Sequence, residues 1–114
     1  MELTARQQAD AVVLPLQGRI DHMNAQTFAQ ALQPYVAACR SGGPRLVFDL
    51  SGLEYISSAG LRVFMLAAKQ AAPAGGRIAL AAPQAVVREI LEISRFNLVF
   101  PLHDSLDEAL AAGS

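Results

Sequence analysis

The chain has 114 residues, 53% of them hydrophobic and 17% charged, with a formal net charge of −1 and a pI near 6.0. That is room for one domain with one core, over residues 1–114, and it excludes a disordered chain. So small a charge also excludes a basic field for nucleic acid or anionic lipid, and neither is expected as a partner. The lone cysteine, Cys39, has no internal disulfide partner and falls on the apolar face of a predicted helix, as a buried structural thiol does. Residues 1–10 are polar and lack the basic-then-apolar layout of a signal peptide. No run of about 18 apolar residues is present to span a membrane, so a cytoplasmic location is expected.

In chain order, two short strands come first. Residues 2–7 form a weak strand pattern and residues 11–16 (AVVLPL) a strong one, with Gln8-Ala9-Asp10 as the turn between them. Pro15 cannot donate to a ladder, which places an unpaired side or a bulge there. Residues 18–22 lead out of the strand, and Asn24 is the expected N-cap of the first helix. Phe28, Leu32, Tyr35, Val36 and Cys39 then repeat at helical spacing, with Pro34 expected to kink or weaken the helix. Gly42-Gly43-Pro44 stops it.

The stretch 49–70, DLSGLEYISSAGLRVFMLAAKQ, is the centre of the chain. Residues 46–50 are apolar enough for a buried strand, Ser51-Gly52 is expected to break it, and residues 53–56 are expected as a loop. Ser57-Ser58 then offers two hydroxyls where a helix N-cap is needed. Ala59-Gly60 keeps the backbone beside Ser58 open to close approach. From Leu61 the pattern is helical, with Leu61, Phe64, Met65 and Ala68 on one face. Val63, Leu66 and Ala67 are apolar as well, so an apolar strip bordered by Leu61 and Arg62 is expected to stay accessible.

Gly75-Gly76 is a second stop, and residues 77–81 (RIALA) read as a short strand. Pro83 fits the first turn of a helix whose buried face is Val86, Val87, Ile90 and Leu91. Residues 98–100 read as a last strand closed by Pro101. Ser105-Leu106-Asp107-Glu108 has capping-box form and should start a final helix through Leu106, Ala109 and Leu110. The order β-β-α-β-α-β-α-β-α implies an α/β fold: a mixed sheet of four to five strands, parallel at its centre, with about four helices. In such sheets the functional crevice lies at the carboxyl ends of the strands, where the loop holding Asp21 and the loop before Ser58 would meet.

Catalytic constellations are mostly absent from the pattern. His22 and His103 do not stand at metal-ligand spacing with other donors, and no metal is expected. No G-x-S-x-G elbow surrounds Ser57 or Ser58. Asp21 and Asp49 are not tuned apart as an acid and base would be, and Asp49 reads better as a hydrogen-bond acceptor at a strand end. Neither enzyme activity nor a cofactor is expected.

Two motifs carry a resemblance. Gly18-Arg19-Ile20-Asp21 is similar to the G-x-[IL]-D that precedes the first helix of STAS domains. Residues 49–61 are similar to their D-L-S-x-[LV]-x-[FY]-[IM]-D-S-[ST]-G-L. The chain thus resembles a STAS domain, and most of all the stand-alone bacterial anti-sigma factor antagonists. The resemblance implies a STAS fold and a partner switch regulating transcription. Its partner would be an anti-sigma factor with serine-kinase activity, and a serine phosphatase would reverse the modification. The phosphorylated serine of that motif matches Ser58, with Ser57 as a competing acceptor because it replaces the motif's aspartate; Ala59 replaces a second hydroxyl residue. Partner contacts are expected from Asp21, Tyr55, Ser57, Ser58, Ala59, Gly60, Leu61 and Arg62. Two other readings of a STAS domain stay open: a subunit of another complex, such as a lipid-transport ATPase, and a module sensing a small molecule in the sheet-edge crevice.

Overall fold

Alternation of β-branched and leucine side chains builds the centre of the molecule. The computed structural model describes residues 3–112, so Glu2, at the start of the weak strand pattern, lies outside the described residues. Within them the strands are β1 (Arg6–Gln8), β2 (Ala11–Ile20), β3 (Arg45–Ile56), β4 (Ile78–Ala81) and β5 (Leu102–His103). The helices are α1 (Ala25–Ala38), α2 (Ser58–Ala71), α3 (Ala85–Ile93) and α4 (Leu106–Ala112). The strands form one sheet in the order β1-β2-β3-β4-β5, antiparallel between β1 and β2 and parallel thereafter. This is the expected mixed α/β architecture.

Both faces of the sheet are covered, which is why β2 and β3 read as nearly continuous apolar runs. Leu14, Leu16, Leu46, Phe48, Leu50 and Leu80 point into the larger core, beneath α1, α2 and α3. Ala11, Val13, Val47 and Ala81 point the other way, against Ala109 of α4. Phe64 of α2 is the hub of the larger core, its ring centroid 5.1 Å from Phe48, 6.0 Å from Phe28 and 6.3 Å from Phe100. Such offset aromatic pairs contribute about 0.5–1.5 kcal/mol each beyond burial, and they fix the height of α2 above the sheet.

Several expectations are corrected. Ser51-Gly52 does not end the central strand: β3 runs unbroken to Ile56, and β2 likewise continues through Gly18, Arg19 and Ile20. The two pair to their ends, Ile20 against Ile56, with register shifts after Pro15 and after Gly18. Glycine here marks a bulged close approach, for a Cβ on Gly52 would lie 3.0 Å from Gln17 Cγ. The expected bulge at Pro15 is therefore present. The first hairpin turns at Ala9-Asp10, within the expected segment and with Ala9 at φ 55°, but Gln8 belongs to β1 and pairs with Ala11.

Residues 98–100 are not a strand. Phe96 and Phe100 are buried four residues apart, and the Leu98 and Val99 N–H groups donate three residues back, to the Arg95 and Phe96 carbonyls at 3.1 and 3.0 Å, so this segment winds as a 3-10 turn and β5 begins after Pro101. Pro83 lies before the α3 N-cap, Gln84, and not in the first turn. The Gln84 amide instead ties α3 to β3, donating to the Ser51 carbonyl at 2.8 Å. Val86 is exposed, leaving Val87 and Leu91 as the buried face. Helix α1 continues through Pro34, and Cys39 is its buried C-cap residue rather than part of the helix. The Ser105 cap of α4 is as expected, its hydroxyl accepting from the Glu108 N–H at 3.1 Å.

Candidate functional site

Because β3 runs seven residues past its last pairing with β4, at Asp49, the ends of β2 and β3 stand roughly 20 Å beyond it. At that end the chain leaves β2 into the Asp21 loop and leaves β3 directly into α2. The Ser57 N–H donates to the Ile20 carbonyl at 2.8 Å, closing the ladder and seating the two exits side by side. Asp21, Tyr55, Ser57 and Ser58 thus lie at the same end of the sheet, where the two strands exit.

The serines divide the work. Ser57 is the N-cap of α2, with φ −87° and ψ 174°, and its hydroxyl accepts from the Gly60 N–H at 3.3 Å. Its carbonyl accepts from the Leu61 N–H at 2.9 Å, so the N–H, the carbonyl and the hydroxyl oxygen of Ser57 are all engaged. Ser58 follows as the first helical residue, exposed, and its hydroxyl has no hydrogen-bond partner among the described residues. The N–H groups of Ser58 and Ala59 are also unpartnered within the described residues, as the first turn of a helix leaves them. With no acidic residue in that turn, the site is a positive dipole end with open donors.

Gly60 explains how the helix comes so close. A Cβ there would lie 2.7 Å from Ile20 Cγ2 and 2.7 Å from Ile56 Cγ1. Gly60 is buried and is a packing element, not a side chain available to a partner. The buried face of α2 is Gly60, Phe64, Ala67 and Ala71, one step off the expected face. Leu61, Val63, Met65 and Ala68 are half-buried against the core, Arg62 is exposed, and Leu66 is 50% exposed. The accessible strip therefore exists, with Leu66 turned outward within it and Phe64 turned inward.

The Asp21 loop is pinned from within. The Asp21 carboxylate accepts from the Met23 N–H at 2.9 Å, and Asn24 Oδ1 accepts from the Asp21 N–H at 2.9 Å. Asn24 stands at the N-cap of α1 as expected, but its side chain makes no cap bond: its amide donates to the Arg19 carbonyl at 2.8 Å and holds the loop. Held on this loop is Met23, 81% exposed. The sequence reading missed Met23, although an apolar residue between Asp21 and Asn24, both loop-fixing types, was a usable signal. It also missed that the Arg19 guanidinium lies 4.5 Å from the Tyr55 ring centroid, steadying the half-buried ring. Asp49 makes no ion pair among the described residues; its carboxylate accepts from the Ser51 N–H at 3.0 Å, the acceptor role expected of it, though within β3 and not at a strand end.

The STAS domain profile matches residues 2–109. The chain belongs to the STAS domain family. BtrV of Bordetella bronchiseptica, which bears the name of an anti-sigma factor antagonist, is 39% identical over 112 residues, covering 98% of this chain and 94% of BtrV. RsfA of Mycobacterium tuberculosis, named an anti-sigma-F factor antagonist, is 25% identical over 98% of this chain and 87% of RsfA. Among solved structures, an anti-sigma factor antagonist from Mycobacterium paratuberculosis superposes with a TM-score of 0.84 at 27% identity, covering 96% of this chain and 91% of that one. The Ser57–Leu61 segment of this STAS chain is accordingly the strand-to-helix junction described above. No helix among the described residues is long and apolar enough to cross a membrane.

Proposed function

We propose that this chain acts as a single STAS domain over residues 1–114 and as an anti-sigma factor antagonist whose hold on its partner is switched by phosphorylation of Ser58. The names of the relatives support the antagonist reading, and the lipid-transport-subunit reading gains nothing from them. One observation supports the choice of serine: the half-buried Ser57 hydroxyl serves as the cap acceptor, whereas the Ser58 hydroxyl is exposed and unbonded among the described residues. The partner in this reading is an anti-sigma factor that is also a serine kinase, with a serine phosphatase resetting the site in the cytoplasm. No catalytic group of this chain is required.

Unmodified, the surface of Met23, Tyr55, Ala59 and Leu61 around Ser58 docks on the partner. A phosphate brings a charge of about −1.5 to −2. In the free domain the open N–H groups of Ser58 and Ala59 receive it, and exposed Arg62, one turn further along the same face, stands at the spacing that favours an acid–base pair. A closed interface must desolvate that charge, at a cost of several kcal/mol, which is a thousandfold or more in affinity by order of magnitude.

The test is incubation with the cognate kinase and ATP, then mass spectrometry of the peptide spanning Ser57 and Ser58. Ser58→Ala should bind and resist modification, and Ser58→Asp should bind more weakly. Modification at Ser57 would overturn the residue assignment; a partner that binds equally well whether or not Ser58 carries phosphate would overturn the switch.

A further inference from the structure

At the opposite end of β3, roughly 30 Å from Ser58 along the strand, the α1–β3 and α2–β4 connections enclose a polar cleft of about 210 Å³. Its walls are held in place. The Ser41 N–H donates to the Ala74 carbonyl at 2.9 Å, tying one connection to the other. A Cβ on Gly76 would lie 2.0 Å from the Cys39 carbonyl oxygen, so the two connections touch where only glycine fits, and one on Gly43 would lie 2.4 Å from the Ala38 carbonyl oxygen at the end of α1, folding the first connection tightly on itself. Gly42, at φ 84°, turns the rim.

The charges in this cleft do not balance. Arg45 is buried and fully used: its Nε donates to Asp10 at 3.0 Å, and its other nitrogens donate to the Ala109 and Leu110 carbonyls at 3.0 and 2.7 Å. Asp10 is thereby committed to Arg45, and its second oxygen stands 4.0 Å from Arg77. Arg40 makes no ion pair among the described residues, and the Arg77 guanidinium is 66% exposed, at the far limit of an ion pair. The Ser41 hydroxyl and the Gly42 N–H, also on the wall, have no partner among the described residues. Arginine forks, a hydroxyl and a loop N–H around one polar cavity are the donor set that recognises a tetrahedral oxyanion.

We propose that this cleft binds a phosphate group, with Arg40 and Arg77 as the gripping cations and Ser41 and Gly42 as neutral donors. The site is independent of the Ser58 surface and of any crevice at the carboxyl ends of the strands. The ligand is a free phosphate or the phosphate of a small monoester, and two probes separate these: inorganic phosphate, and AMP.

The experiment is an amide and arginine side-chain NMR titration of the whole chain with each probe, at constant ionic strength set by sodium chloride. Saturable shifts are expected at Gly42, Gly43, Gly75, Gly76 and the Nε–H of Arg40 and Arg77, with Ser58 unmoved. Tighter binding of AMP than of inorganic phosphate would identify a monoester; the reverse would identify the free ion. Arg40→Gln and Arg77→Gln should each weaken binding by about tenfold, the loss of one charge-assisted contact. Both side chains lie on exposed residues, so the variants should keep the native spectrum. Shifts that fail to saturate, that chloride alone reproduces, or that persist in the double variant would overturn the proposal. So would shifts centred on Ser58, which would move the anion to the α2 N-terminus.

Discussion

Replacing Gly60 by alanine tests whether the junction between β3 and α2 is as tight as its geometry states. The added carbon would meet Ile20 Cγ2 and Ile56 Cγ1 at 2.7 Å and Ile56 Cδ1 at 3.2 Å. Carbon pairs rest at about 3.5–4.0 Å, so the first two contacts are too short by about 1 Å. Neither isoleucine can swing clear easily, because each offending carbon is bonded to a Cβ and the two residues are paired at the ends of β2 and β3. Overpacking of this kind costs about 1–3 kcal/mol. Alanine recovers up to ~1 kcal/mol of helix propensity, less in a first turn than in a helix interior. The net expectation is a loss of about 1–2 kcal/mol, or roughly 4–8 °C in Tm for a chain of this size. Calorimetry and urea unfolding of Gly60→Ala against the parent measure it. The same shift lifts the first turn of α2, so partner affinity should fall as well. An alanine variant as stable as the parent, or more so, would refute the reasoning, since propensity alone would then have decided the outcome.

Asp21→Ala removes the acceptor for the Met23 N–H, and Met23→Ala removes the exposed side chain that this bond presents. Both should weaken anti-sigma factor binding in a calorimetric titration while shifting Tm by only a few degrees; loss of stability with unchanged affinity would reduce Asp21 to a turn residue. The hydrogen bond from Arg45 holds the Asp10 carboxyl below its ordinary value. A lowered carboxylate contributes stability in full above the unfolded value, near 3.9, and loses it as pH falls through the lower folded value. Asp10→Asn should therefore flatten the acid limb of stability in that window and leave the slope near pH 7 unchanged. Burial pushes the Cys39 thiol up, and its Sγ donates to the Arg77 carbonyl at 3.3 Å. Native Cys39 should react with a thiol reagent only as fast as the fold opens, and rapid labelling of the folded chain would contradict this.

Element type was legible wherever one periodicity ran unopposed. Phe28, Leu32 and Val36 placed α1, and the alternation across β2 and β3 placed the sheet, because burial on one face leaves a repeat in the sequence. Boundaries failed where a residue had two possible reasons to be there. Gly52 and Gly18 read as strand ends, yet each belongs to a bulge in a parallel pair, and only the pairing partner distinguishes a bulge from a stop. Phe96 and Phe100 lie in a stretch too short to show a period, so the apolar run 98–100 imitated a strand. Long-range polar contacts left no local trace at all: Arg45 and its acceptors on α4 are more than 60 residues apart.

The candidate site shows the same division in miniature. Two adjacent serines before a helix announce a cap, but sequence alone leaves either one able to serve. The choice is made by the strand, not by the helix. Because Ile20 and Ile56 are paired and the Ser57 N–H closes the ladder on Ile20, Ser57 must leave β3 in the extended conformation that an N-cap requires. Ser58 then inherits the first helical position, where its side chain faces outward and its N–H lacks a partner in the protein. The residue that fixes the helix and the residue left free for chemistry are thus assigned together by strand register. A one-residue slip between β2 and β3 that made Ser58 the cap would hand the first helical position to Ala59, which has no hydroxyl.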